Sequence, residues 1–302
     1  MEKPVPTCSL AGIFPPIPTP FKVNGQIDYD HLQSNLSRWN QEPLAGYVVC
    51  GSNGEYTYLT LDERVELVRA ARQAIPKERL LIAGSGMEST RDTIDLTRRV
   101  AQAGADVAIL VTPSYYRGRM TAAALEQHYT QVADTSPIPV MLYSVPANTG
   151  IDLPAQAAIN LAKHPNIIGM KDSGGDIVKI GYMAHETRSD DFQILAGSAG
   201  FLLAGLAVGA VGGVCALANI AAARLTRLWE CFCQGNAMKA REIQLPLIEA
   251  NTAVTSRFGV PGLKAAMDLL GYYGGPVRSP LLPLSEEDKA ALQNILTKAG
   301  LL

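Results

Sequence analysis

Lys171 is the residue in this sequence best placed for covalent chemistry. It ends an apolar run, Ile167-Ile168-Gly169-Met170, and is the only cation in it. Desolvation at the end of a buried strand disfavours the charged form of an amine, and a free amine condenses with a ketone to give an imine. The bland alternative is a structural ion pair, with Asp172 as the adjacent acid. Tyr143 ends another apolar run, Val140–Tyr143, and its phenol could carry protons to and from a bound substrate. Standing alone, it would more ordinarily be a core tyrosine with a satisfied hydroxyl.

A third feature is the turn Gly51-Ser52-Asn53-Gly54-Glu55. Its backbone N–H groups and short polar side chains suit a carboxylate, although such turns often only close a strand. Polar residues recur at comparable places in Thr112-Pro113-Ser114-Tyr115-Tyr116, in Tyr143 to Gly150 with Asn148, and in Lys171-Asp172-Ser173-Gly174-Gly175. Gly84-Ser85-Gly86 lacks the rest of a dinucleotide fingerprint. The four histidines, His31, His128, His164 and His185, fall on or beside predicted helices without ligand spacing, and Cys231 and Cys233 have no partner pair. No metal or other cofactor is therefore expected.

The elements that must position these groups repeat as a pattern. Apolar runs at Gly12–Ile17, Tyr47–Cys50, Leu80–Ala83, Val107–Val111, Val140–Tyr143, Ile167–Lys171, Ile194–Ala196 and Gly213–Ala216 alternate with amphipathic stretches. The latter predict helices over Tyr29–Trp39, Leu61–Ala74, Thr90–Ala103, Ala122–Ala133, Pro154–Lys163, Ile177–Glu186, Gly200–Val208 and Ala221–Gln234. Thr60 with Asp62 and Glu63, and Thr90 with Asp92, mark two starts. Strands buried on both faces read as continuous apolar runs. Eight such units predict an α/β fold, a (β/α)8 TIM barrel over residues 1–234, with a doubly wound open sheet as the alternative. Helices over Ala237–Ala250, Gly262–Leu270 and Glu286–Lys298 predict a C-terminal helical extension, residues 235–302, packed on the barrel. In a barrel the loops after the strands meet at one mouth, which would gather the amine, the phenol and the hydroxyls.

Composition narrows the partners. The chain has 302 residues, 47% hydrophobic and 18% charged, with a formal net charge of −2. No basic stripe is available for nucleic acid, so small molecules are the expected partners. Five unevenly spaced cysteines read as reduced thiols. Phe192–Ala223 carries no charge, yet six glycines interrupt it, which favours a buried segment over a membrane span. Met1 to Leu10 contains neither an apolar signal core nor an Arg-rich amphipathic run, so no targeting peptide is expected there.

The phrases GSNGE, TPSYY, YSVPANTG and GMKDSGG, in that order, resemble the dihydrodipicolinate synthase and N-acetylneuraminate lyase superfamily over the whole chain. The resemblance implies a pyruvate-dependent class I aldolase, a homotetramer built as a dimer of dimers. It implies that Lys171 forms the Schiff base, that Tyr143 relays protons, and that Tyr115 is lent across the tight-dimer interface. Ser52 and Asn53, with Gly54, fall where paired threonines cradle the pyruvate carboxylate. Asn148 stands where synthases carry an arginine for the semialdehyde carboxylate, and Ser173 could hold a second carboxylate. The wording is similar to the 4-hydroxy-2-oxoglutarate aldolase branch. That implies cleavage of 4-hydroxy-2-oxoglutarate to pyruvate and glyoxylate, with oxaloacetate decarboxylation as a side activity. It also implies a mitochondrial location, the residues themselves reading only as cytoplasmic. The alternatives are a sugar-acid or synthase-like lyase of the same superfamily, or a binding scaffold whose site has decayed.

Overall fold

The computed structural model describes residues 8–302, so most of the stretch read for a targeting peptide, residues 1–7, lies outside the described residues. Eight parallel strands, β1 (Gly12–Phe14), β2 (Gly46–Val49), β3 (Leu80–Gly84), β4 (Val107–Val111), β5 (Val140–Ser144), β6 (Ile167–Asp172), β7 (Gln193–Ala196) and β8 (Gly212–Val214), pair in sequence order. β1 pairs with β8, and the Pro16–Val48 bridge joins β1 to β2, so the sheet closes on itself. At that seam Ile17 N–H donates to Val48 O, and Val48 N–H donates to Pro15 O. Pro15 and Pro16 have no N–H to give a ladder, which is why β1 stops at Phe14 rather than at Ile17.

Helices α1 (Tyr29–Trp39), α2 (Leu61–Ala74), α3 (Thr90–Gln102), α4 (Ala122–Thr135), α5 (Ala155–Leu161), α6 (Ile177–Glu186), α7 (Leu202–Ala207) and α8 (Ala218–Cys233) follow the strands. The architecture is a (β/α)8 barrel with C-terminal helices, and the open-sheet alternative is excluded by closure. α2 begins with the expected capping box between Thr60 and Glu63. The cap of α3 is Ser89, whose side chain accepts from Asp92 N–H; Thr90 instead meets His128 Nδ1 at 2.9 Å. The uncharged stretch from Phe192 divides into β7, a 3-10 turn, α7, β8 and the start of α8. No described helix is long and apolar enough to cross a membrane.

The interior of the barrel is a layer of Phe14, Val48, Ile82, Ile109, Met141, Leu195 and Val214, closed below by Leu10. The tail forms α9 (Ala237–Gln244), α10 (Ile248–Thr252), α11 (Gly259–Leu269) and α12 (Glu286–Lys298). The single helix expected over Ala237–Ala250 is broken at Leu245–Leu247, because Pro246 removes a backbone donor. Pro261 is accommodated in the first turn of α11, where a missing N–H costs nothing. Leu247, Val254, Leu263, Met267 and Leu296 of the tail share one apolar cluster with Leu36 and Trp39 of α1 and Val68 of α2. Asn35 of α1 fastens the tail: its amide donates to Tyr273 O and its oxygen accepts from Tyr273 N–H.

Candidate active site

Tyr143 and Lys171 are direct neighbours in the β5–β6 ladder. Strict alternation would put Lys171 on the face of Ile167, which packs outward under the helices. A register shift, in which Val140 pairs with Ile167 but Met141 with Gly169, inserts one residue and turns Lys171 inward. Lys171 Nζ lies 4.0 Å from the centre of the Tyr143 ring. Lys171 is 4% exposed and Tyr143 is 5% exposed, so both groups work in a nearly dry environment.

The ion pair weighed for Lys171 goes elsewhere. Asp172 projects to the opposite face of β6, fully buried, where Lys179 Nζ sits 2.9 Å from its Oδ2 and Gly174 N–H donates to its Oδ1. No salt bridge among the described residues involves Lys171.

Tyr143 is tied to the first loop as well. Its hydroxyl is 3.2 Å from Ser52 Oγ, which opens the 3-10 turn Ser52–Gly54 after β2. Burial by itself raises the phenol's pKa. The charge of Lys171 and hydrogen bonds with Ser52, Lys171 and Ser173 outweigh it and hold the group below its ordinary value. A phenol so placed gives up its proton more readily and can act as a base. Removing one of those donors should reverse part of the effect. In Ser173→Ala the acid limb of kcat/KM should therefore move to higher pH, read from a pH–rate profile against wild type.

Ser52, Tyr56, Tyr143 and Lys171 supply the polar groups of a narrow recess; Cys50, Ile109 and Val111 supply its apolar wall. Burial pushes the thiols of Cys50 and Cys215 up to about 12, Arg64 and Lys171 respectively opposing it, so neither presents a thiolate nucleophile. Gly197 is required where it stands: a Cβ there would fall 2.0 Å from Ser173 Oγ and 2.7 Å from Asp172 O.

The other expected residues are placed differently. Asn53 and Gly54 follow Ser52 in the same turn but do not line the recess, and Gly54 O accepts from Thr19 Oγ1 at 2.6 Å. Asn148 is exposed on the short helical turn Pro146–Thr149. Tyr115 is 78% exposed and outside the recess. Its loop is pinned by Glu88, whose carboxylate accepts the N–H groups of Ser114 and Tyr115 at 2.9 Å each. Tyr56 was not singled out in the sequence. It follows the Gly51–Glu55 turn directly, and buried Arg64 fixes it by donating twice to its carbonyl oxygen. Among the described residues no cluster of three or more His, Cys, Asp or Glu could hold a metal ion.

Comparison with known proteins shows the family. The model of the dihydrodipicolinate synthetase family matches residues 9–299. The 4-hydroxy-tetrahydrodipicolinate synthase of Methanothrix thermoacetophila is 35% identical over 292 residues, covering 95% of this chain and 96% of that protein. The structure of the dihydrodipicolinate synthase DapA-2 of Bacillus anthracis is 30% identical, with a TM-score of 0.91 over 96% of this chain and 98% of that one. The chloride-inhibited dihydrodipicolinate synthase of Acinetobacter baumannii, complexed with pyruvate, is 28% identical, with a TM-score of 0.92 over 97% and 100%. The chain belongs to the dihydrodipicolinate synthetase family.

Proposed function

We propose that this lyase makes or breaks a carbon–carbon bond at C3 of pyruvate through a Schiff base on Lys171. The observation that carries it is a buried amine without an acidic partner among the described residues, 4.0 Å from the ring of a phenol whose hydroxyl meets Ser52. A relative of the same fold is complexed with pyruvate. Ser52 Oγ, with the backbone N–H groups of Ser52 and Asn53, holds the C1 carboxylate.

The aldehyde partner has two readings. The relatives named 4-hydroxy-tetrahydrodipicolinate synthase favour a synthase-type condensation. The residues at 148 and 173 favour 4-hydroxy-2-oxoglutarate, because a neutral asparagine replaces the arginine expected of a synthase and Ser173 offers a hydroxyl toward a distal carboxylate. In the latter, the Lys171 amine attacks the C2 ketone and water leaves. Tyr143 removes the proton of the C4 hydroxyl and the C3–C4 bond breaks, its electrons flowing into the iminium to give an enamine. Glyoxylate departs, C3 is protonated, and water releases pyruvate and the free amine. Oxaloacetate would lose carbon dioxide by the same electron flow. The resemblance to the 4-hydroxy-2-oxoglutarate aldolase branch would make the location mitochondrial.

The exposed Tyr115 and Tyr116, 78% and 71%, suit burial against a second copy in a homotetramer, where Tyr115 would complete the neighbouring site. A substrate panel tests the aldehyde. Pyruvate release should be fastest from 4-hydroxy-2-oxoglutarate and detectable above buffer from oxaloacetate. Faster turnover of pyruvate with aspartate semialdehyde would assign the synthase reaction, and fastest turnover of a sugar acid would displace both.

A further inference from the structure

Beneath the turn that carries Ser52 and Asn53 lies an ion pair with no role in the bond-making steps. Glu55 and Lys264 have side chains only 1% exposed, and Lys264 Nζ is 2.7 Å from Glu55 Oε1. Glu55 closes the turn: its N–H donates to Ser52 O, and its backbone is left-handed with φ of 55°. An L-residue adopts that conformation only where its surroundings impose it. The surroundings come from the tail. Lys264 lies on α11, and its Nζ also donates to Pro276 O at 2.8 Å. Glu55 Oε2 accepts Arg278 N–H at 2.8 Å, and the Arg278 guanidinium forks onto both carboxylate oxygens of Glu63 in the first turn of α2. Lys264 and Arg278 both sit over the Phe21 ring, at 4.5 and 4.4 Å. Thr19 holds Gly54 O from the other side.

A pair this dry is not explained by stability, because well-packed apolar groups serve a core as well as or better than a desolvated ion pair. What it supplies is a fixed position for one carboxylate, and hence for the backbone next to it. We infer that Lys264 and Glu55 are positioning residues for 2-oxo acid binding: the C-terminal helices set, through this pair, the turn that receives the substrate's C1 carboxylate. This deepens the lysine–pyruvate function proposed above and rests on it. The tail is thereby part of the binding apparatus rather than a cover on the barrel.

The test uses the full chain and pyruvate itself, with borohydride to trap the imine. Wild type should be labelled at Lys171; absence of label there removes the lysine function and is distinct from failure of the positioning role. Single substitutions leave a buried charge alone, so the informative variant is Lys264→Met combined with Glu55→Gln, which removes both charges. With its thermal unfolding close to wild type, the pyruvate concentration for half-maximal labelling should rise about tenfold, and the labelling rate at saturation should stay within about threefold. An unchanged half-saturation in the folded double variant would overturn the proposal, as would a loss confined to the saturating rate. If the double variant does not fold, hydrogen exchange on wild type decides. Pyruvate should slow exchange at Gly274–Arg278 along with Gly51–Glu55, and protection of the turn without the tail would overturn it.

Discussion

Replacing Lys171 with alanine is expected to abolish borohydride-trapped labelling by pyruvate and to lower turnover by about 10⁵-fold or more, the scale lost when a covalent nucleophile is removed. The protein should remain folded. Among the described residues Lys171 has no carboxylate partner whose charge would be stranded by the change, since Asp172 is satisfied by Lys179 and Gly174 on the other face of the strand. Truncation leaves space at the mouth of the barrel rather than in the apolar layer beneath it. Circular dichroism and thermal unfolding would verify the fold, and peptide mapping of the wild-type adduct would place the label. Turnover retained by a folded Lys171→Ala protein would eliminate the imine mechanism altogether, whichever aldehyde is used.

The second large effect is expected at Tyr143. Tyr143→Phe keeps the ring, its packing against Ile109 and Met141 in the barrel interior, and its face toward Lys171. It removes only the hydroxyl, and with it the hydrogen bonds with Ser52, Lys171 and Ser173. Loss of each such hydrogen bond is worth about 1 kcal/mol of stability. Loss of a positioned acid–base group is worth about 10²–10⁴-fold in rate. The fall should appear in kcat, with KM for the 2-oxo acid little changed, because the proton is needed in bond making rather than in binding. The pH profile should also lose the limb that wild type owes to a phenol held below its ordinary pKa by Lys171 and its hydrogen-bond donors. Near-wild-type kcat in the phenylalanine variant would return Tyr143 to the role of a core aromatic.

Much of the scaffold was legible because it depends on local composition. The helices Tyr29–Trp39, Leu61–Ala74, Ile177–Glu186 and Glu286–Lys298 stand where their apolar spacing and capping residues put them. β4 matches its apolar run from end to end. Errors fell where backbone donors are missing, at Pro15-Pro16 and at Pro246; at the start of α3, where two adjacent hydroxyls competed and the cap fell to Ser89; and in the eighth unit, where β8 is Gly212–Val214 rather than Gly213–Ala216 and α8 starts at Ala218 rather than Ala221. The candidate residues were legible as types at strand ends: an amine, a phenol and a polar turn.

Sequence alone settled the eight alternating units and the strand ends at which Lys171, Tyr143 and Ser52 would lie. It settled this because buried parallel strands must be apolar throughout, while the loops after them are free to be polar. Closure of the sheet in the fold decided for the barrel over the open sheet. Tertiary structure decided which way those side chains point. The one-residue register shift between β5 and β6 turns Lys171 into the barrel and sends Asp172 outward to Lys179. Tertiary structure also decided that the tail reaches the turn that carries Ser52, since Lys264 and Glu55 are 209 positions apart in the chain yet 2.7 Å apart in the fold. Period-two patterns carry no information about where an extra residue is absorbed, and no local pattern reports a partner so distant along the chain.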